Sequence, residues 1–172
     1  MRILLLILLL LLNCEKSSNP GAAVDPAELL PYDNDISSYT KKGSTSILSD
    51  AASIYNAIDG AAEKYIDLGF IEGVFQKYSN SSTDLDVSIF NHGSNENALR
   101  VLDEFYPSSP EILLSTEEGG MMVLDHGLIG RYSLHYVKAG IYTRIDTNEK
   151  TDIILSTAKQ FCYNIGNKIL LE

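Results

Sequence analysis

The chain is poor in positive charge, tryptophan and cysteine. Its 13 Lys and Arg residues stand against 23 Asp and Glu residues, which gives a formal net charge of −10. A surface of that sign repels phosphate backbones, so the composition argues against a nucleic-acid partner. Tryptophan is absent, and the aromatic residues are ten Tyr and five Phe. The two cysteines are Cys14 and Cys162.

The chain also lacks an apolar run long enough to span a membrane. The longest run, Ile3 to Leu12, consists only of Leu and Ile. As a helix it would reach about 15 Å, whereas the hydrocarbon core of a bilayer is ~30 Å thick. A single positive charge at Arg2 precedes the run and a polar stretch follows it, which is the order of a secretory signal. Residues 1–13 are therefore predicted to be a removable signal peptide.

The end of this run, Leu11-Leu12-Asn13-Cys14, resembles the lipobox of bacterial lipoproteins. The resemblance implies that Cys14 carries diacylglycerol and becomes the mature N-terminus, anchored to a membrane by lipid. Asn13 departs from the small residue that usually precedes the cysteine, and the alternative is an ordinary secretory signal. Acylation would leave Cys162 without a disulfide partner, so we expect Cys162 to be a small buried hydrophobe.

Residues 14–28 are rich in Ser, Asn, Pro and Ala without apolar periodicity. They are predicted to be the lipidated N-terminus and a flexible tether. Residues 29–172 are predicted to form one domain, since their number suffices for a single core. At its start, Ile36 to Tyr39 is predicted to be a short edge strand and Lys41 to Ser46 a polar loop.

A helix in two pieces is predicted next. Gly60 interrupts the helical pattern, so we expect a break at Asp59-Gly60, with Asp59 capping the second piece and Gly69 following its end. The apolar stripe recurs at helical spacing of four, three and four residues: Ile54, Ile58, Ala61 and Tyr65.

Residues 70–78 and 85–91 alternate apolar and polar side chains around a polar turn, which predicts a hairpin. Ser94 is expected to cap the following helix, and Pro107 and Pro110 to end it in a loop. The buried stripe of that helix is predicted to be Ala98, Val101, Leu102 and Phe105.

Residues 121–124, 128–137 and 141–145 are predicted strands. Asp146 to Glu149 is typical of a helix N-terminus, because an acidic residue lies three positions after the cap. The helix is expected to end near Gly166. Its apolar stripe is predicted to be Ile153 or Ile154, Ala158, Phe161 and Ile165. The order α-β-β-α-β-β-β-α with tight connections predicts an α+β fold, with an antiparallel sheet of about five to six strands and helices packed on it.

The segment from Tyr55 to Phe70 resembles the signature of a family of uncharacterised exported bacterial proteins, a domain of unknown function. The resemblance implies one folded domain and no assigned activity. The element order is also similar to the α/β/α sandwich of the PsbP/Mog1 type, which is an analogy of topology. The residues that match the signature, and that we expect to be structural, are Tyr55, Ile58, Asp59, Gly60, Ala62, Glu63, Tyr65, Gly69 and Phe70.

Several residues could carry chemistry only if the fold brought them together. Asp59, Glu63 and Asp67 form an acidic stripe that, with Glu72, could hold a hard cation, although a solvated face is the favoured interpretation. The three histidines do not have metal-ligand spacing: His92, His126 and His135.

Asp125 and His126 are adjacent, and adjacent residues of a strand point to opposite faces, so an acid–base pair is not expected there. We therefore predict no catalytic, metal or cofactor site from the sequence. The prediction for function is a cell-envelope lipoprotein with a non-catalytic domain that binds a partner protein or small ligand. The alternatives are a hydrolase-like envelope enzyme whose site forms only in the fold, and a structural accessory of an envelope complex.

Overall fold

The computed structural model describes residues 24–58, 60–115 and 120–169. The fold is α+β, as predicted, with a single antiparallel sheet of seven strands instead of five to six. The strands are β1 (Thr40–Leu48), β2 (Glu72–Ser79), β3 (Asp84–Asn91), β4 (Pro110–Ser115), β5 (Gly120–Asp125), β6 (Ser133–Lys138) and β7 (Ile141–Thr147). The helices are α1 (Pro26–Leu29), α2 (Ala51–Ala57), α3 (Ala62–Asp67), α4 (Asn95–Glu104) and α5 (Asp152–Lys168).

The sheet consists of two meanders that meet in its middle. The strand order is β1-β2-β3-β7-β6-β5-β4, and every neighbouring pair is antiparallel. The local hairpins β2–β3 and β6–β7 follow from short turns. The β3–β7 pair joins residues far apart in sequence, from Leu85 opposite Thr147 to Asn91 opposite Ile141. This long-range pair makes β7 the central strand.

Helices cover both faces, so the domain is an α/β/α sandwich. Helices α1 and α5 contact one face, and α2, α3 and α4 contact the other. The stripe predicted for α5 is confirmed, because Ile154, Ala158, Phe161 and Ile165 are buried. Ile153, the alternative to Ile154, is 82% exposed. Cys162 is fully buried in the same layer, as predicted.

The predicted break in the first helical segment is confirmed between α2 and α3. Gly60 has a φ of 72°, a conformation that side-chain-bearing residues rarely adopt. Gly69, with a φ of 80°, ends α3 in a Schellman motif: the Gly69 and Phe70 amides donate to the Ile66 and Tyr65 carbonyls at 3.0 and 3.1 Å.

Asp59 lies outside the described residues. The N-cap of α3 is Ala61, without a side-chain cap, so the prediction of Asp59 as the cap is wrong.

Both edges of the sheet differ from the prediction. Lys41 to Ser46, predicted as a loop, belongs to edge strand β1, whereas Ile36 to Tyr39 lies in turns. Seven of the nine β1 side chains are exposed, so no apolar alternation marks the strand in the sequence. The opposite edge strand β4 was not predicted and begins at Pro110, which was assigned to a loop. Proline is compatible with a strand start because no ladder donor is needed there.

Two boundaries in the second half also differ. Residues 128–132 precede β6 as a loop, in which Gly130 has a φ of 74°. Helix α5 is capped by Thr151 and not by the segment from Asp146 to Glu149. Asp146 instead lies within β7 and pairs with Arg144, so its side chain is engaged elsewhere.

Gly166 lies inside α5 rather than at its end. A Cβ on Gly166 would come within 2.4 Å of the Tyr136 hydroxyl oxygen, so glycine is required by close packing.

Helix α1 overlaps the end of the segment predicted as a tether, residues 14–28. The helix begins at Pro26, capped by Asp25, and both Pro26 and Leu29 are buried. The packed structure thus starts slightly before Leu29. Within the part of the chain that the structure describes, no helix combines the length and apolarity needed to cross a membrane.

Candidate functional site

The register of the sheet arranges side chains in three rows across the face that carries α2, α3 and α4. The rows run perpendicular to the strands, because residues paired across neighbouring strands point to the same face. The inner row is Leu48, Gly73, Phe90, Tyr142, Val137 and Met121. The middle row is Ser46, Phe75, Ser88, Arg144, His135, Val123 and Ile112. The outer row is Lys42, Lys77, Asp86, Asp146, Ser133, Asp125 and Pro110.

The helices cover only the inner part of this face. The inner row packs against Tyr65 and the buried residues of α4. Exposure increases outwards along β3, where Phe90 is buried, Ser88 is half-buried and Asp86 is exposed. The outer part of the face over β1, β2, β3 and β7 therefore lies open. We call this surface the sheet groove.

The sheet groove has a wall formed by an irregularity in β1. Pairing with β2 shifts between Lys42 and Ser46, and Gly43 within the shift has a φ of 74°. The Gln76 amide holds the bulged segment by donating to the Lys42 carbonyl at 3.3 Å and to the Lys77 carbonyl at 2.8 Å. The resulting open cleft has a volume of about 580 Å³, and Phe75 and Ser88 contribute to its lining. A shallow concavity with one aromatic ring results.

Arg144 lies in the centre of the sheet and forms one end of a polar network. Its Nε donates to Ser133 Oγ at 3.2 Å and its Nη2 donates to Asp146 Oδ1 at 3.0 Å, while Nε also lies 2.9 Å from Asp146 Oδ2 in the ion pair. Burial acts to lower the pKa of Arg144, but the charge and hydrogen bond of Asp146, together with Tyr142 and Tyr65, outweigh it and raise the pKa. The Arg144 side chain is 34% exposed, and its Nη1 has no hydrogen-bond partner among the described residues. The guanidinium is thus fixed in place by Asp146 and Ser133 and remains partly exposed.

His135 continues the network towards the core. Its Nδ1 lies 2.7 Å from the Tyr142 hydroxyl and its Nε2 lies 3.4 Å from Ser133 Oγ. The ring is 4% exposed. Burial, assisted by the positive charge of Arg144, lowers the pKa of His135 to about 4. His135 is therefore neutral at physiological pH.

The network ends in an aromatic cluster beneath α3 and α4. Tyr65 stacks on Phe105 at a centroid distance of 4.7 Å and lies 4.6 Å from Phe90. The Tyr65 and Tyr142 hydroxyls are hydrogen-bonded, and burial raises the pKa of Tyr65 to about 12. Tyr65 is therefore a neutral core residue, which agrees with the structural role expected for it.

The other signature residues divide into packed and exposed positions. Ala62 is buried, and Ile58 and Phe70 are half-buried against the same core. A Cβ on Gly69 would lie 2.6 Å from the Asn97 side-chain nitrogen, so packing and backbone conformation both favour glycine there. The residues of the signature that face solvent are Tyr55, Gly60 and Glu63, and Asp59 lies outside the described residues. None of the signature residues that the structure describes lines the cleft.

The three histidines lie in different environments. His92 is 1% exposed, and its Nδ1 bonds to the Leu68 carbonyl at 2.9 Å, while burial lowers its pKa. His126 is exposed and pairs with Glu111 instead of Asp125. His92 and His135 both lie on the face that carries α2, α3 and α4, but His92 packs against Tyr65 and Phe70 beside α3, whereas His135 belongs to the middle row next to Arg144.

Among residues 24–58, 60–115 and 120–169, no group of three or more His, Cys, Asp or Glu side chains is placed to hold a metal ion. Glu63 and Asp67 are exposed, and Glu72 is half-buried at the start of β2. Ser94 caps α4, accepting from the Asn97 amide at 3.2 Å, as predicted. Cys14 lies outside the described residues.

The polar network was not identified from the sequence, although one signal was present. In β7, Tyr142, Arg144 and Asp146 alternate with Ile141, Thr143 and Ile145. Such alternation predicts one polar face. Its position in the middle of the sheet depends on the long-range pairing with β3, which the sequence pattern does not reveal.

No protein-family model matches the chain, and no curated protein matches it. Among solved structures, the chain is similar to the extracellular domain of PknH from Mycobacterium tuberculosis, with a TM-score of 0.55 and 12% sequence identity. The similarity covers 87% of this chain and 96% of that one. At this level of identity, the likeness concerns the fold alone.

Proposed function

We propose that the protein is an exported, lipid-anchored and non-catalytic binding domain, and that its ligand occupies the sheet groove. The observation that carries the proposal is the opening in the helical cover over the middle of the sheet, where the partly exposed Arg144 guanidinium is held by Asp146 and Ser133. Ligand sites are typically concave, partly apolar surfaces with a few fixed polar groups. Phe75 and Ser88 line the cleft, and Arg144 lies beside Ser88 on the next strand, outside the cleft lining, so the three supply that combination on adjacent strands.

The geometry around His135 favours binding over hydrolysis. A serine nucleophile needs an accessible hydroxyl and a nearby base with a suitable pKa. Ser133 is 1% exposed and accepts a hydrogen bond from Arg144, so its hydroxyl is buried in the polar network and not accessible to a substrate. His135, with a pKa lowered to about 4, is a weak base. In a catalytic triad a carboxylate bonds to Nδ1 of the histidine and orients its ring, whereas here the Tyr142 hydroxyl bonds to Nδ1 of His135.

Export is supported by the N-terminal pattern and, at the level of the fold, by the similar extracellular domain of PknH, whereas anchoring is supported by the lipobox-like pattern at Cys14 alone. Replacing Cys14 by Ala is expected to release the protein from membranes and to abolish incorporation of labelled fatty acid, because the thioether would be lost. Unchanged retention and labelling in the variant would exclude the anchor.

The binding surface can be mapped before a ligand is known. Small organic probes such as isopropanol, phenol and acetamide gather in ligand sites, because these sites combine apolar and polar contacts. In two-dimensional NMR spectra of the mature chain, we expect all three probes to shift the amides of Phe75, Ser88 and Arg144. Ser88→Trp, which fills the sheet groove, should abolish these shifts. Ile153→Trp, on the exposed side of α5, is the matched control and should leave them.

Probe shifts that gather elsewhere on the protein, or that persist in Ser88→Trp, would overturn the proposed site. A melting temperature and an amide spectrum measured for each variant verify that the tryptophan is tolerated. If Ser88→Trp does not fold, Ser88→Leu provides a smaller obstruction, for which weakened shifts are expected.

A further inference from the structure

We infer that the ligand of the sheet groove is a neutral saccharide, an inference that rests on the proposed function. The groove combines three features that together favour this class: internally paired charges, hydroxyl groups without protein partners, and one aromatic ring. The paired charges argue against ionic ligands, and the hydroxyls and the aromatic ring match the groups of a sugar.

The charges of the sheet groove are paired within the protein. Lys42 pairs with Asp84 at 2.9 Å and Lys77 with Asp86 at 2.8 Å, and Arg144 makes the two-pronged contact with Asp146. Each cation therefore has its own carboxylate. An anionic ligand would have to displace one of the carboxylates, and a cationic ligand would have to displace an ammonium or the guanidinium. The arrangement offers donors and acceptors without a net field, which suits an uncharged polar molecule.

The polar groups of the middle row that make no hydrogen bond within the described residues are two serine hydroxyls and one nitrogen of a guanidinium. Among the described residues, the hydroxyls of Ser46 and Ser88 and Nη1 of Arg144 have no hydrogen-bond partner. A serine hydroxyl both donates and accepts, as a sugar hydroxyl does. The three groups lie in one row with Phe75, which places them on neighbouring strands about 5 Å apart.

Phe75 supplies the apolar contact that sugar binding uses. The ring is half-buried and packs edge-on against Phe90 at 5.6 Å, so the core holds it in position. An aromatic face attracts polarised C–H groups electrostatically, because the face carries partial negative charge. A pyranose ring presents such C–H groups on one side and hydroxyls around its rim, which fits a ring flanked by two serines.

An extended peptide is a poorer fit to this surface. Peptides that bind to sheets usually add a strand at an edge, where main-chain groups are unpaired. The floor of the sheet groove is the face of β2 and β3, and β3 is already paired on both sides, with β2 and with β7. Recognition on the floor of the groove therefore depends on side chains.

The test is titration of the mature chain with neutral and anionic tetrasaccharides, followed by NMR and calorimetry. The neutral probes are the tetramers of glucose, mannose and N-acetylglucosamine, and the anionic probe is tetragalacturonate. We expect at least one neutral tetramer to bind saturably, with amide shifts at Phe75 and Ser88. Its affinity should change less than about twofold between 0.01 and 1 M salt, a range over which the Debye length falls from ~30 to ~3 Å.

Binding measurements on substituted proteins test whether the neutral tetramer occupies the sheet groove. Phe75→Leu should weaken the neutral tetramer by roughly three- to tenfold, the ratio that corresponds to an aromatic contact of ~0.5–1.5 kcal/mol. Ser88→Trp should abolish binding, and Ile153→Trp should leave it unchanged. If Phe75→Leu lowers stability so far that it cannot be titrated, Ser46→Trp at the exposed end of the row serves in its place.

Two results would overturn the inference. One is the absence of saturable binding by all three neutral tetramers. The other is preferential binding of tetragalacturonate with an affinity that falls steeply with salt. If organic probes still gather in the sheet groove in either case, the binding site stands and only the ligand class is wrong. If the organic probes do not gather there, the proposed function fails as well.

Discussion

The stability of the domain is expected to fall between neutral and mildly acidic pH because of His135. This ring is 4% exposed and has a folded-state pKa of about 4, whereas histidine in an unfolded chain has a pKa near 6.5. The unfolded chain therefore takes up a proton at a higher pH than the folded chain does. Acidification favours unfolding across the interval from 6.5 to 4, and the loss is complete below the folded pKa.

The size of the effect follows from the separation of the two pKa values. Each pKa unit corresponds to 1.36 kcal/mol, so the full loss is about 3 kcal/mol, of which about 2 kcal/mol should have appeared by pH 5. A loss of this size is a large fraction of the stability of a typical domain. Burial is the main cause, since the imidazolium would lose its hydration, and Arg144 adds repulsion.

Urea denaturation of the wild type and of His135→Gln between pH 7 and pH 5 measures this loss. Glutamine keeps a polar group in place but does not titrate. The free energy of unfolding of His135→Gln should therefore fall less on acidification from pH 7 to pH 5 than that of the wild type, and the difference should be about 2 kcal/mol. His92, whose pKa is also lowered by burial, remains in both proteins and cancels in the comparison. His126→Gln, which removes an exposed imidazole, is the control. Parallel curves for the wild type and His135→Gln would refute the reasoning.

Two further predictions concern packing and backbone conformation. Ile154→Ala should lower the free energy of unfolding by about 2–5 kcal/mol because Ile154 is fully buried, whereas Ile153→Ala, at the 82% exposed neighbour, should change it by less than about 0.5 kcal/mol; equal effects in urea denaturation would contradict the face assigned to α5. Gly69→Ala should be more destabilising than Gly43→Ala, because both glycines have a positive φ but only Gly69 lacks room for a Cβ. Thermal unfolding of the two variants measures the difference, and an equal or larger loss in Gly43→Ala would contradict it.

The elements that could be predicted from the sequence are those in which the pattern of apolar, polar and glycine residues follows directly from burial or from the local backbone conformation. Helix α5 has one face against the sheet, so its apolar stripe appears at helical spacing. The β2–β3 hairpin has a buried and an open face and a polar turn between its strands. The break before α3 is marked by Gly60, whose positive φ suits glycine.

The edge strands could not be predicted in this way. Strand β1 is held by main-chain hydrogen bonds to β2, while its side chains from Lys41 to Ile47 are exposed. Exposed side chains of mixed type do not distinguish a strand from a loop. The helix cap at Thr151 is not predictable for a related reason. Asp146 has the right residue type for a cap, but its carboxylate is engaged by Arg144, two residues earlier on the same strand.

The location of the sheet groove depends on pairing that local patterns do not contain. Arg144 becomes central only because β7 pairs with β3 on one side and β6 on the other. A charged residue on the central strand of a sheet covered on both faces would have to be desolvated, and a buried ion pair usually does not recover that cost in full. Leaving Arg144 and Asp146 partly exposed, at 34% and 21% of their side chains, reduces the penalty. The gap in the helical cover therefore reduces the desolvation cost of the two charged residues of β7, Arg144 and Asp146. A substitution that extends the cover, such as Ser88→Trp, should lower stability as well as block the groove unless the tryptophan leaves the Arg144–Asp146 pair hydrated.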